Sequence, residues 1–525
     1  MLFAFCFLPC SAQSCLEPNK STELAANNIR ALFKTNGTHF FKENAEFEVP
    51  KGSGKTSLFA ASLWLGGLDE QDNLHLAAMM YRQVGNDFWT GPISDDNDAA
   101  TYYDKFWSVS KEEIENHKLN YNNPEYLIPS SITNWPAHGR TEYGESYHLA
   151  PYVSVSGNEH YAPELGDYPL IRGDQAIFWI NNDACGAHVE SKGIPLDVEI
   201  LSMAYAYNSS DEALKNTIFI SYVLRNKSKN NYKDFYIGFF SDFDIGYGYD
   251  DYIGCDTLLN LCYGYNGKEI DGSGQPHAYG ANPPAQGAMF LNQKMNAFMY
   301  FNNSGNVTGN PTNALEYYNY LQAKWKDGMH LTLGKTGHNP ESVEYTNFAF
   351  SGALINGVPW CEDTPNGPGS TPNTPDDRRG VMSAGPLTLP AGEGICLDVA
   401  LPFARDYEGR LSSVTLLLKR TQEIQQFYNN QNYANNCFAT VGIKEHTIHN
   451  AKLLIYPNPS NGQFTITCEK VIESIELYDV LGRKVFTDTP KAQSTQISTG
   501  LSKGLYMYRA MLQDNTTCSG KILVQ

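Results

Sequence analysis

The sequence predicts a mainly β protein: a large β-sandwich-like body with a few short helices, followed by a C-terminal immunoglobulin-like β-sandwich. Three observations carry this. Apolar and polar residues alternate with period two in stretches such as IFISYVL (218–224) and DFYIGFF (234–240), the pattern of strands with one buried face. Turn formers are abundant, 44 Gly and 27 Pro among 525 residues, and they cluster between those stretches. Aromatics reach 13% against 18% charged residues, a supply sufficient for large cores and unlike a disordered acidic chain.

The elements follow in order. Residues 2–8 (LFAFCFL), with small residues at 11–13, read as a secretory signal covering 1–13, so the body spans 14–445. Residues 21–34 (STELAANNIRALFK) are expected to form a short helix, capped by Ser21 or Thr22 and stopped by Gly37. Strands are expected within 38–50 and 57–69. Ser110 and Glu113 have capping-box spacing and open a helix over 110–118. Further strands are expected over 175–183, 196–207, 216–228, 234–246 and 394–405, with weaker ones near 287–301 and 346–355. The stretch 363–377 is a polar Pro/Thr/Gly/Asn loop. Residues 409–430 carry helical periodicity that places Leu411, Val414, Leu417, Leu418, Ile424 and Phe427 on one face. A linker over 446–451 follows; His446 and His449 fall at its start and are read as linker residues rather than metal ligands.

From Lys452 the texture changes to short alternating strands with tight punctuation: LLIYPNPSNGQFTI, SIELYDVLGRKVF, ISTGLSKGLYMYRAML and CSGKILVQ. Pro457 and Pro459 suit a domain-entry turn because neither can donate to a ladder. The YPNPSNGQF opening, the ELYDVLGRKV strand, the GLY strand and the final GKILVQ together resemble the type A C-terminal sorting domain of the type IX secretion system of Bacteroidota, over 452–525. The resemblance implies passage through the periplasm, engagement of the type IX translocon, and a secreted or cell-surface destination where lipopolysaccharide can anchor the product. Its motif positions are Pro457, Asn458, Pro459, Gly462, Asp479, Gly482, Arg483, Gly504, Tyr506, Gly520 and Lys521. Segments of the body, among them FEVPKGSGKTSLFAASLWLGGLD and SDFDIGYGYDDYIGCDT, resemble parts of large secreted cargo proteins of uncharacterised activity, which implies a shared β-rich body.

The formal charge of −19 divides unevenly: 452–525 carry 8 Lys/Arg and 6 Asp/Glu, so the acidity belongs to the body. An acidic body is a poor phosphate-backbone binder, so no nucleic acid is expected, and no stretch after the signal has the length of a membrane span. Nine Cys remain beyond the signal, an odd number that leaves at least one thiol unpaired; Cys255 with Cys262 and Cys468 with Cys518 are the candidate pairs.

The chemistry-bearing feature is SDFDIGYGYDDYIGCD, which gathers Asp242, Asp244, Asp250, Asp251 and Asp256 among three Gly. Clustered carboxylates repel unless a cation neutralises them, and hard oxygen donors on a Gly-kinked loop suit Ca²⁺. The spacing is not that of an EF-hand. The resemblance to secreted cargo proteins implies a DxDxDG-like calcium loop in SVSGNEHYAPELGDYP (154–169), but this chain has Ser154, Ser156 and Asn158 at those positions, so the loop is read as degenerate. PKGSGKTS lacks the first P-loop Gly, since Val49 holds that position, and GLSKG (500–504) lies between strands where no nucleophile elbow can form. Arg172-Gly173-Asp174 is read as a chance tripeptide, and the 7 Trp as core residues. With no catalytic motif, the body is expected to bind or to serve structurally, stabilised by calcium, with surface lipopolysaccharide or extracellular glycans as partners. The alternative is a secreted hydrolase of polysaccharide or peptide.

Overall fold

The computed structural model describes residues 15–81, 85–431, 433, 437, 443–444, 454–479, 483–513 and 517–524. The expected signal, the linker 446–451 with both its His, and Gly482 lie outside these. The chain divides into two compact units, Met1–Ile443 and Lys444–Gln525.

The body is built on two antiparallel sheets. The nine-stranded sheet runs through Asp251–Asp256, Leu261–Asn266, Ala285–Phe290, Gly394–Ala404, Thr217–Asn226, Val198–Ala206 and Gln175–Asn182, with Trp89–Thr90 and Trp107–Ser110 both pairing the last. The six-stranded sheet centres on Tyr232–Phe243, flanked by Arg378–Leu389 and Ala60–Leu68. Period-two alternation decides what each face meets. On Gln175–Asn182, Ile177 and Trp179 enter one core with Phe239 and Val381 of the second sheet. Ala176, Phe178 and Ile180 enter another core with Leu417, Ile424 and Tyr428 of the helix Arg410–Asn430. The nine-stranded sheet is thus buried on both faces, and all 7 Trp are buried, as expected of core rings.

The helix over 111–120 forms with Ser110 and Glu113 bonded reciprocally as a capping box. Residues 21–34 are not helical. Ser21–Leu24 and Arg30–Lys34 pair as a hairpin, Leu24 opposite Ala31. The Asn27-Asn28 pair decides this: the Asn27 side chain accepts from Ile29 N at 2.9 Å and donates to Thr217 O at 2.8 Å, a turn that competes with helix. Near 346–355 only Leu354–Ile355 is a strand. The long helix keeps most of its expected face: Leu417 and Ile424 are buried, and Val414, Leu418 and Phe427 pack on the same core. Leu411 is 52% exposed, and the buried row is Ser413, Leu417, Thr421, Ile424 and Tyr428. Polar anchors also hold it, with Tyr428 OH on Asp398 and Arg420 on Phe403 O.

Disulfides join Cys15 to Cys185 and Cys396 to Cys437, not the expected pairs. Cys255 and Cys262 stand opposite one another across adjacent strands, yet both thiols are free, that of Cys255 donating to Ala349 O. Cys468 is free and buried in the second unit.

That second unit is a β-sandwich whose long strand Gln463–Tyr478 changes partners along its length. Its first half pairs Leu454–Tyr456 and Ala492–Ser498; its second half pairs Lys484–Asp488 and Gly504–Leu512. Phe464, Ile466, Ile475, Leu477, Ala510 and Ile522 form its core. No helix of the described residues is long and apolar enough to cross a membrane.

Candidate functional site

The strand Tyr232–Phe243 runs antiparallel to Arg378–Leu389 with Asp242 opposite Arg379 and Phe243 opposite Arg378. One residue beyond the ladder, the same register sets Asp244 against Asp377. Asp242 and Asp244, two apart, project to the same side. One carboxylate oxygen from each of Asp242, Asp244 and Asp377 lies within 4.8 Å of the others.

Among the described residues, the buried Arg379 answers these carboxylates. Arg379 donates from Nε to Asp242 Oδ2 at 3.1 Å and from Nη2 to Asp377 Oδ2 at 3.3 Å, and its remaining donors go to Asn310 and the Tyr81 hydroxyl. Asp377 Oδ2 also accepts from Asn303 at 2.9 Å, while its buried Oδ1 has no hydrogen-bond partner. Burial, then the charges of Asp242 and Asp377, push the Asp244 carboxyl well above the ordinary aspartate range. The cluster opens into a cavity of about 530 Å³ walled by Phe59, Tyr81, Tyr247, Tyr249, Gln275 and His277. Two Gly make the wall possible. Gly246 has φ +70° and no room for a Cβ beside Asp271, and a Cβ at Gly248 would collide with the Asp244 carboxylate.

Of the five Asp singled out in the sequence, Asp242 and Asp244 are in this cluster. Asp250 and Asp251 brace the loop instead. Asp250 accepts from Asn266 at 2.7 Å and Gly272 N at 3.1 Å, and Asp251 Oδ2 accepts from Ile245 N at 2.8 Å. Asp256 caps a turn through Leu258 N and Leu259 N at the far end of its strand. Asp377 carries no local signal, because only the strand register brings it in.

The second loop is closed by its own carboxylate. Asp167, fully buried, accepts from Val155 N at 2.8 Å, Ser156 N at 2.9 Å and Ala162 N at 2.9 Å. Asp167→Ala would strand the buried Ala162 donor and the half-buried Val155 and Ser156 donors, with an expected loss of about 1–3 kcal/mol read as a lowered denaturation midpoint. The P-loop-like segment is filled likewise: Glu48 accepts from Gly54 N at 2.6 Å, and the strand Thr56–Leu58 follows where a phosphate-facing helix would be needed. Arg172 of the RGD tripeptide is buried and paired to Asp398 at 2.8 Å.

In the C-terminal unit the motif residues tie the ends of the module together. The Asn458 side chain donates to Lys521 O and accepts from Leu523 N, each at 2.9 Å, clamping the opening turn to the last strand. Asp479 accepts from Arg483 N at 3.0 Å and Nε at 2.8 Å, and Tyr506 OH reaches Ser502 O at 2.8 Å. Residues 454–525 match the family model of the secretion system C-terminal sorting domain. The chain is a type IX secretion cargo protein. Its sorting tail engages the type IX machinery and directs the cargo to the cell surface or beyond.

No curated protein matches this cargo in sequence. Among solved structures, a polysaccharide lyase is similar over 63% of this chain at 9% identity and a TM-score of 0.20, and the chain spans only 34% of that lyase. A GalM/aldose epimerase homologue from C. elegans is similar over 74% of this chain and 99% of its own, at 7% identity and a TM-score of 0.23. PorZ, a surface component of the type IX system of Porphyromonas gingivalis, is similar over 98% and 57% at 8% identity and a TM-score of 0.14. At these scores none bears on the chemistry of the body.

Proposed function

We propose that the cargo passes through the periplasm to the cell surface, and that its body works there as a calcium-dependent binding protein with the ion held by Asp242, Asp244 and Asp377. The observation that carries this is the convergence of three carboxylates on one cavity with a single guanidinium against them and a buried Asp377 oxygen left without a donor. Calcium takes 6–8 oxygens, so three carboxylates leave positions for water or for ligand hydroxyls entering the cavity. Asp250 and Asp251 hold the loop in shape. Surface lipopolysaccharide and extracellular glycans are the oxygen-rich partners available in that compartment.

The test is thermal melting of the full chain in EDTA and in about 10 mM CaCl₂, where a site of Kd about 10⁻⁴ M adds about 2.7 kcal/mol. The midpoint is expected to rise by a few degrees in calcium and Asp244→Asn to remove the rise. An unchanged midpoint in the unsubstituted chain would sink the proposal. A second reading, a hydrolase, has one observation in its favour: Asp244 is pushed toward the protonated acid while Asp242 beside it faces Arg379, environments that separate an acid from a base. Turnover of a polysaccharide or peptide that is lost in Asp244→Asn would favour it over simple binding.

A further inference from the structure

A second cavity of about 720 Å³ has the opposite electrostatic character. It lies between the segment Tyr102–Ser108 and the segment Ser130–Arg140, with Trp107 and Trp135 at its base, both packed on Phe178. Lys105, His138 and Arg140 line it, and none of its described lining residues is Asp or Glu, in a protein with 57 acidic and 38 basic residues. The two long cations are in different states. Arg140 is already neutralised by Asp96 and Glu145, each at 2.6 Å, and lies flat against Tyr102 with 4.4 Å between guanidinium carbon and ring centre. Lys105 makes no ion pair with any described residue. Its ammonium stands 4.2 Å from the Tyr102 ring centre and 5.3 Å from that of Trp107, so aromatic faces are its partners inside the fold. Partial burial, together with the Arg140 charge, lowers its pKa, the environment of a cation that an incoming anion would relieve.

The remaining wall supplies hydroxyl and amide groups from Ser130, Thr133 and Asn134, all exposed. Tyr102 is 50% exposed at the rim. Flat apolar faces bordered by neutral hydrogen-bonding side chains fit a sugar ring, whose C–H face stacks while its hydroxyls bond, and an unpaired ammonium adds a place for a negative substituent. We propose that this groove binds an anionic saccharide, with Lys105 taking the carboxylate or sulfate and the exposed Tyr102, Ser130, Thr133 and Asn134 side chains contacting the ring. The site is separate from the acidic cavity and needs no calcium.

The experiment is titration of the full chain in EDTA with oligogalacturonate, a heparin oligosaccharide, neutral cellohexaose and polyglutamate, followed by tryptophan fluorescence and calorimetry. Oligogalacturonate and the heparin oligosaccharide supply the same negative charge as carboxylate and as sulfate, and the tighter of the two identifies the anion. Binding is expected to be at least about tenfold tighter for that saccharide than for cellohexaose or polyglutamate, and to weaken several-fold between about 50 and 200 mM salt. Lys105→Ala and Tyr102→Ala are each expected to cost about tenfold in affinity at an unchanged melting temperature, since both side chains are exposed. Lys105→Gln, which keeps the stem over the rings, should fail like Lys105→Ala. Absence of binding by both anionic saccharides, equal affinity for cellohexaose or for polyglutamate, or full affinity in the Lys105 variants would each overturn the proposal.

Discussion

Cells producing the chain without residues 454–525 are expected to show the body inside, in the periplasm, with its surface fraction reduced by more than about tenfold. The tail has a core of its own, built from Phe464, Ile475, Leu477 and Ile522 among others, so its removal cuts no strand of the two body sheets. The body should therefore fold and accumulate rather than vanish. Fractionation combined with surface proteolysis measures this, and arrival of the truncated body at the surface in normal amount would show that delivery does not depend on the tail. A finer version uses Asn458. Its side chain makes two of the bonds that join the opening turn to the last strand, at Lys521 O and Leu523 N, beside that of Ser460 N to Leu523 O. Asn458→Ala removes both and is expected to cost about 1–2 kcal/mol in the tail, loosening the ends that carry the motifs. Export should fall in that variant while the melting of the body stays where it was.

The tail was legible in the sequence because its motifs are contiguous and each one makes a turn or a strand locally. The body was legible where burial is one-sided or complete over a long run, as on Thr217–Asn226 and Tyr232–Phe243. It was misread where a side chain bonds far along the chain. Asn27 reaches Thr217 and turns an apparent helix into a hairpin. The candidate site divides in the same way. Asp242 and Asp244 stand out because they are neighbours, whereas Asp377 is a neighbour only through the pairing of Phe243 with Arg378. Asp250, Asp251 and Asp256 share the acidic texture but answer backbone amides or Asn266, a difference that composition does not encode. The disulfides are a case of the same kind, since Cys15 and Cys185 meet only in the folded chain.

Two buried carboxylates of the body are expected to contribute stability that is lost as the pH rises from about 4 to above 6, the reverse of ordinary acid denaturation, while buried His39, whose pKa burial lowers, contributes in the opposite sense. Asp271 is 1% exposed and accepts from Tyr247 N at 2.9 Å and from Tyr279 N, yet burial pushes its pKa up to about 6. Asp250 adds to that push and Lys55 opposes it. Asp251, fully buried, is driven well above the usual range by burial and by the charges of Asp244, Asp271 and Asp250, with only the Ile245 amide in its favour. For each, the folded state holds a proton that the unfolded chain has released above an ordinary aspartate value of about 4. The proton-bound form is therefore the stabilised one, its advantage complete below about pH 4 and gone once the folded pKa is passed. For Asp271 a rise of about two units corresponds to about 3 kcal/mol across that window. Glu48 acts oppositely: its burial is outweighed by Arg30 and the Gly54 amide, so its contribution is lost only at more acidic pH. Denaturant melts in EDTA at about pH 5 and pH 7.5, run side by side on the unsubstituted chain and on Asp251→Asn, isolate the Asp251 share. Asp251→Asn is the decisive variant. The amide oxygen can keep the Ile245 bond, and the NH₂ replaces the buried Oδ1 that has no donor. It is expected to raise stability at pH 7.5 by about 1–3 kcal/mol relative to the unsubstituted chain and by less at pH 5. A variant less stable than the unsubstituted chain at pH 7.5, with the slope intact, would mean that Asp251 is ionised and held by a cation rather than by its proton.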